Sequence, residues 1–302
     1  MAAPFLSVIF VNTFPMRLRL TGRVLGSLFE SHPSLCKLKG GEPYYLLKSL
    51  LLPFLAAPHD QPAAMRGDVF RLSPLFSCSS PVFKDRITSY AYEIHWSLGK
   101  LHNGMFDSVD AILYYCMIRY YHPKIVLEIG TGNSAWIAND ALQRNGFGKL
   151  VAIDPTPRTR LPRNCQHIRR KVQDVPLSLF RTLRGGDILF VDSSHSTEEA
   201  KYHSQFILPV LLENVIVHYH DIPFPFERYV GDPLVYGEAN VLLEFLLKHP
   251  EEWAVIASSS YALLQEPALI SQLVPLLNRF SHPPSSLWLE KWREKDTTRF
   301  EK

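Results

Sequence analysis

The sequence predicts an α/β fold: a doubly wound, mostly parallel sheet with helices on both faces. Three observations carry this expectation. From residue 125 onward, short apolar runs alternate with stretches of helical periodicity. The first run ends in a glycine turn, Gly130-Thr131-Gly132, that opens a helix. The runs after it end at polar residues: Asp154, Asp192 and the pair His220-Asp221. Strands separated by helices pair in parallel, because the helix carries the chain back to the starting edge.

The elements follow in order. Residues 1–80 hold helical-looking patches, 45–55 the clearest, and no motif that carries chemistry; a partly helical N-terminal extension is expected there. The α/β domain is expected over 81–265, with 266–302 a helical tail. Ile87, Tyr90, Ile94 and Leu98 fall at helical spacing within 85–101. A second helix, 108–121, opens on Ser108 and stops before Pro123. Strand 125–127 leads through the glycine turn to helix 134–144, closed by Asn145-Gly146. Strand 150–153 ends at Asp154, helix 175–183 is stopped by Gly185-Gly186, and strand 187–191 ends at Asp192. Helix 197–211, strand 215–218, helix 239–247 and strand 253–257 complete the alternation.

Composition excludes several classes. A chain of 302 residues with 46% hydrophobic and 20% charged residues folds around a sizeable core. A net charge of +3 lacks the concentrated basic face of a nucleic-acid binder, so no nucleic-acid partner is expected. Arg158, Arg160 and Arg163, and the run Arg169-Arg170-Lys171, read as solvated loop charges. No stretch reaches the roughly 20 apolar residues that span a bilayer. Cys36, Cys78, Cys116 and Cys165 lie far apart, which supports neither a zinc motif nor a disulfide framework. A cytoplasmic location is expected. The acid-free residues 1–29, with Arg17, Arg19 and Arg23, leave an organelle transit segment as the alternative. Oligomeric state is not encoded in any pattern.

A glycine turn between strand and helix lets a ligand approach the backbone, and the helix N-terminus offers free N–H groups. The turn alone suits any adenine-containing cofactor. Glu128, two residues before Gly130, is placed to accept hydrogen bonds from an ammonium group, and it would repel a pyrophosphate. Asp154, at the next strand end, is placed for ribose hydroxyls. The run Val126-Leu127-Glu128-Ile129-Gly130-Thr131-Gly132-Asn133-Ser134 resembles motif I of class I S-adenosylmethionine-dependent methyltransferases, a Rossmann-like family. Asp154 matches the family's ribose-binding acid, and Gln173-Asp174 falls where an adenine contact often lies. Two further segments, 186–195 and 217–227, resemble the fourth and fifth strand ends of a subgroup acting on small molecules and sugars. The similarity covers about residues 103–263. It implies S-adenosylmethionine as cofactor, held by Glu128, Gly130, Gly132, Asn133, Ser134, Asp154 and Asp174.

Transfer to an alcohol needs the acceptor proton removed by a base, or its pKa lowered by a metal. His195 is expected as that base, assisted by Asp192. In relatives that bind magnesium, carboxylates of the fourth and fifth strand ends hold the ion. Here the matching set is Asp192, Asp221 and His220, with histidine where some relatives carry a second acid, so Mg2+ stays an open alternative. His218 and His220 are expected on opposite faces of their strand. Residues 223–229 are expected as either a lid or a self-packed loop, Glu238 and Asn240 as helix-start residues, and Phe106 and Asp110 as cover or core.

The function implied is O-methylation of a small molecule or a glycan-type sugar. Two other classes stay open: a non-catalytic cofactor-binding module, and a nicotinamide-dependent oxidoreductase. The latter would place an apolar residue at 128 and a third glycine at 135, where the chain has Glu128 and Ala135.

Overall fold

The computed structural model describes residues 90, 93, 105–106, 108–222, 224, 233–265 and 284–292. Seven strands form one sheet: β1 (Ile125–Ile129), β2 (Lys149–Ile153), β3 (Gln166–Ile168), β4 (Ile188–Val191), β5 (Ile216–Tyr219), β6 (Trp253–Ser258) and β7 (Leu287–Lys291). Their order is β3-β2-β1-β4-β5-β7-β6. The first five pair in parallel; β7 runs antiparallel between β5 and β6. The helices are α1 (Ser108–Tyr121), α2 (Asn133–Asn145), α3 (Leu177–Phe180), α4 (Thr197–Tyr202), α5 (Leu208–Val210), α6 (Pro233–Lys248) and α7 (Ser259–Gln265).

The two-residue period of each strand splits the interior into two cores. Val126, Leu150, Ile188, Phe190 and Ile216 face α1, α2 and α7. Their neighbours Leu127, Val151, Leu189 and Val217 face α5 and α6 with the wide turn between α4 and α5. Both faces are covered, so the strands read as continuous apolar runs. Each fully buried aliphatic side chain contributes roughly 1.5–3 kcal/mol. The doubly wound sheet is therefore as expected.

Register then sets the site. Ile129 is level with Ile153 and with Val191, and Val191 with Tyr219. The segments after β1, β2, β4 and β5 therefore leave the sheet at one edge, where ligands of such sheets bind. Asp187 fixes the opposite edge. It accepts from the N–H groups of Lys124 at 2.8 Å, Ile125 at 2.9 Å and Arg184 at 2.8 Å, so it precedes β4 rather than opening it.

Several expected elements differ. The helix expected over 175–183 shrinks to α3, because Pro176 forces Val175 into an extended conformation at ψ 132°. The helix expected over 197–211 contains a π turn at His203–Ile207, just before Pro209, which cannot donate to the carbonyl four residues back. The helix expected from 239 begins at Pro233. Within the tail expected to be helical over 266–302, Leu287–Lys291 instead form β7, whose Trp288 is fully buried within the sheet; residues 266–283 and 293–302 lie outside the described residues. The short polar strand β3 was not expected either. The helix expected over 85–101 lies almost wholly outside the described residues. No helix among them is long and apolar enough to cross a membrane.

Candidate functional site

A cavity of about 780 Å³ opens beyond the ends of β1, β2, β4 and β5. At one end lie the glycine turn and Asp154. Gly130 sits at φ 75°, and a Cβ there would overlap the carbonyl of Asp192. Glycine at 130 is thus required by the fold. Gly132 is different. Its φ is 178° and its ψ −111°, and a Cβ would meet nothing closer than Thr159 Oγ1 at 3.8 Å. No other described part of the fold fills the space a Cβ would take, so the position is a cradle that a Cβ would narrow, which fits close approach of a ligand. Asn133 and Ser134 follow in the cavity wall and start α2, whose free N–H groups suit a carboxylate. Asp154 accepts from Thr131 N at 3.1 Å and Thr156 N at 2.6 Å, which holds its carboxylate at the wall and ties the two strand ends together.

Glu128 and Asp174 are placed otherwise than expected. Glu128 shares the face of Val126, so its side chain points under the α1 layer and is fully buried. It accepts from Tyr114 at 3.0 Å, Thr131 at 2.5 Å and Ser134 at 3.3 Å. Burial pushes its pKa up to about 7 against the pull of these hydroxyls. Glu128 therefore braces the turn from behind and is not part of the cavity wall. Asp174 is exposed; Lys171, Val172 and Gln173 line the cavity in its stead.

The other end of the cavity is an ionic cluster. Asp192 follows β4, and His220 and Asp221 follow β5. His195 Nε2 stands 3.4 Å from Asp192 Oδ1 and 3.4 Å from Asp221 Oδ2, while its Nδ1 meets Glu238 Oε2 at 2.7 Å. His220 Nδ1 stands 3.5 Å from Asp192 and 3.6 Å from Asp221, with Nε2 3.6 Å from Asp110. His195 and Asp221 hold left-handed backbone conformations, φ 55° and 59°. Non-glycine residues rarely accept these except where the surroundings impose them, as at functional sites.

Burial works against charge on His195, yet its contacts with Asp192, Glu238 and Asp221 outweigh it and hold the pKa well above the usual histidine range. The same balance, through Asp221, Asp192 and Asp110, raises His220. Asp192 is held below the carboxylate range, its burial outweighed by the two histidines. The carboxylates around it thus favour the protonated ring of His195 and fix its orientation at the cavity. The Mg2+ expectation also meets a mismatch. Asp192, Asp221 and His220 do converge, but the donors include imidazole nitrogens, whereas magnesium takes oxygen ligands.

His218 and His220 lie on one face, as a period of two demands, correcting the expectation of opposite faces; both meet the Phe106 ring. Phe106 also lines the cavity. Asp110 sits behind His220 and accepts from Ser259 Oγ and the N–H groups of Ser285 and Ser286. Glu238 is within α6 and buried, not at a helix start, and Asn240 is exposed. Of residues 223–229 only Phe224 is described, and it is buried, its carbonyl accepting from Ser258.

Residues 127–222 match the family model of a methyltransferase domain. A curated protein of Archaeoglobus fulgidus, itself uncharacterized, is 38% identical over 89 residues, which is 27% of this chain and 40% of that protein. The match thus spans less than half the length of that relative. Among solved structures, a Podospora anserina methyltransferase with S-adenosylhomocysteine bound is 16% identical, covering 78% of this chain and all of that one at TM-score 0.40. A Bacillus cereus O-methyltransferase is 12% identical, covering 74% and 96% at TM-score 0.38. At such scores neither likeness bears on chemistry. Over residues 127–222 the chain is thus similar to a methyltransferase domain.

Proposed function

We propose that the protein transfers the methyl group of S-adenosylmethionine to a hydroxyl of a small molecule or sugar. One observation carries this reading: a single cavity joins a cofactor-type turn to an acid–histidine cluster. S-adenosylmethionine supplies a methyl group that is already activated, so the residues need only position the acceptor, exclude water and take up one proton. Gly132 and the start of α2 receive the amino-acid end of the cofactor, and Asp154 the ribose. Asp192 and His195 face the acceptor oxygen: His195, oriented by Asp192 and Glu238, takes up the proton, and the carboxylates stabilise the imidazolium that results.

Magnesium does not fit the donor set, and no step is routed through it. A non-catalytic module would have no use for the strained, cavity-facing cluster. A nicotinamide enzyme is disfavoured by the family match over the cofactor half.

The test is transfer of labelled methyl groups from S-adenosylmethionine to a panel of phenols, hydroxylated metabolites and glycosides. Labelled product should form and fall at least about a hundredfold in His195→Ala, the scale typical of a lost proton-transfer group. Label appearing on no member of the panel, or persisting undiminished in His195→Ala, would contradict the proposal.

A further inference from the structure

Thr159 places a hydroxyl in the cavity wall that the fold itself does not use. The residue lines the cavity, and its Oγ1 is buried with no hydrogen-bond partner among the described residues. A buried hydroxyl left without a partner is unfavourable, so one set in a cavity wall points to a ligand atom that satisfies it. The hydroxyls of the glycine turn are already engaged, since Thr131 and Ser134 donate to Glu128.

The position of Thr159 is fixed from both sides. Its Oγ1 stands 3.8 Å from where a Cβ on Gly132 would lie, so it bounds the cradle over that glycine. Before it, Thr156 N donates to Asp154 at 2.6 Å; after it, Trp136 Nε1 donates to the Arg160 carbonyl at 2.8 Å. Trp136 belongs to α2, the helix that starts at the cradle, and so ties the loop to it.

The surroundings select the ligand group. The free N–H groups at the start of α2 favour negative charge. Arg158 and Lys171 line the same cavity, and no acid occurs from residue 155 to 173. The nearby acid, Asp154, is occupied by Thr131 N and Thr156 N.

We propose that Thr159 is a cofactor-binding residue, its hydroxyl donating to the carboxylate of S-adenosylmethionine seated over Gly132 and the start of α2. The inference rests on the S-adenosylmethionine reading of this cavity. It adds a contact from outside the glycine turn, one that recognises the amino-acid end of the cofactor and not the adenosine.

The test is calorimetric titration of the full chain with two ligands. S-adenosylhomocysteine carries the carboxylate and no transferable methyl group. Its decarboxylated analogue, S-adenosyl-3-thiopropylamine, keeps the adenosine, the sulfur and the amine. Thr159→Val should weaken S-adenosylhomocysteine about tenfold to a hundredfold, the range of a lost hydrogen bond to a charged group, and leave the analogue unchanged. Thr159→Ser keeps the hydroxyl and should bind as the parent chain does. If the analogue binds too weakly to titrate, the valine and serine variants decide. Undiminished S-adenosylhomocysteine binding in Thr159→Val, an equal loss for both ligands, or a loss in Thr159→Ser as large as in Thr159→Val would overturn the proposal. No binding of S-adenosylhomocysteine by the parent chain would overturn the S-adenosylmethionine reading itself, and the proposal with it.

Discussion

Glu128 and His203 are buried ionisable residues whose protonation folding shifts in opposite directions. Burial raises Glu128 from 4.5 to about 7, so the native state holds a proton that the unfolded chain has released. Its stabilisation is fully present below pH 4.5 and is lost as pH rises through 7, by on the order of 3 kcal/mol. His203, in the π turn, has neither ring nitrogen hydrogen-bonded, and burial lowers it from 6.5 to about 4. Its contribution is present above 6.5 and is lost as pH falls through 4. Over the shared window the two slopes oppose. Thermal melts from pH 4 to 7 should therefore show, relative to the parent chain, a slope of stability against pH that turns more positive in Glu128→Gln and more negative in His203→Gln; the reverse changes would contradict both assignments. The two glycines also separate. Gly130→Ala meets both a left-handed φ and the Asp192 carbonyl, and should cost about 2–4 kcal/mol in a denaturant titration. Gly132→Ala meets no such overlap and should cost less than Gly130→Ala while weakening S-adenosylmethionine binding.

At the scale of elements, β7 is locked to α1 and α7 through Asp110. The carboxylate collects Ser259 Oγ at 2.7 Å, Ser285 N at 2.9 Å and Ser286 N at 3.1 Å. Asp110→Ala leaves buried donors unpartnered beside His220 and should cost about 3 kcal/mol, read from chemical denaturation. A cost below about 1 kcal/mol would show that β7 is held by packing alone. This lock was not legible in the sequence, because 175 residues separate Asp110 from Ser285. Nor was β7 itself: Leu287-Trp288-Leu289 is a brief apolar run buried on both faces, so it lacks the alternation that marks a strand. β3 was missed for the opposite reason, since Gln166 and His167 are polar. By contrast α1 and the strand–turn–helix at β1 were legible, because capping, proline and glycine signals are local.

For the whole molecule, parallel alternation fixed which strand ends share an edge, and so which polar residues meet. Asp192, His195, His220 and Asp221 were therefore readable as one cluster. Their partner Glu238 was not, because its contact with His195 depends on how closely α6 packs on α4. That approach is permitted by Gly237, where a Cβ would overlap Thr197, and no sequence period announces it. Glu128 was legible as an acid at the right place, but strand parity turns it inward, behind the cavity wall. The central claim is that this edge of the sheet binds S-adenosylmethionine. Calorimetric titration of the full chain with S-adenosylmethionine and, separately, with NAD tests it most directly. The expected result is a dissociation constant on the order of micromolar for the first, about 8 kcal/mol of binding free energy, and no binding of the second. Binding of NAD, or no heat with S-adenosylmethionine, would contradict it.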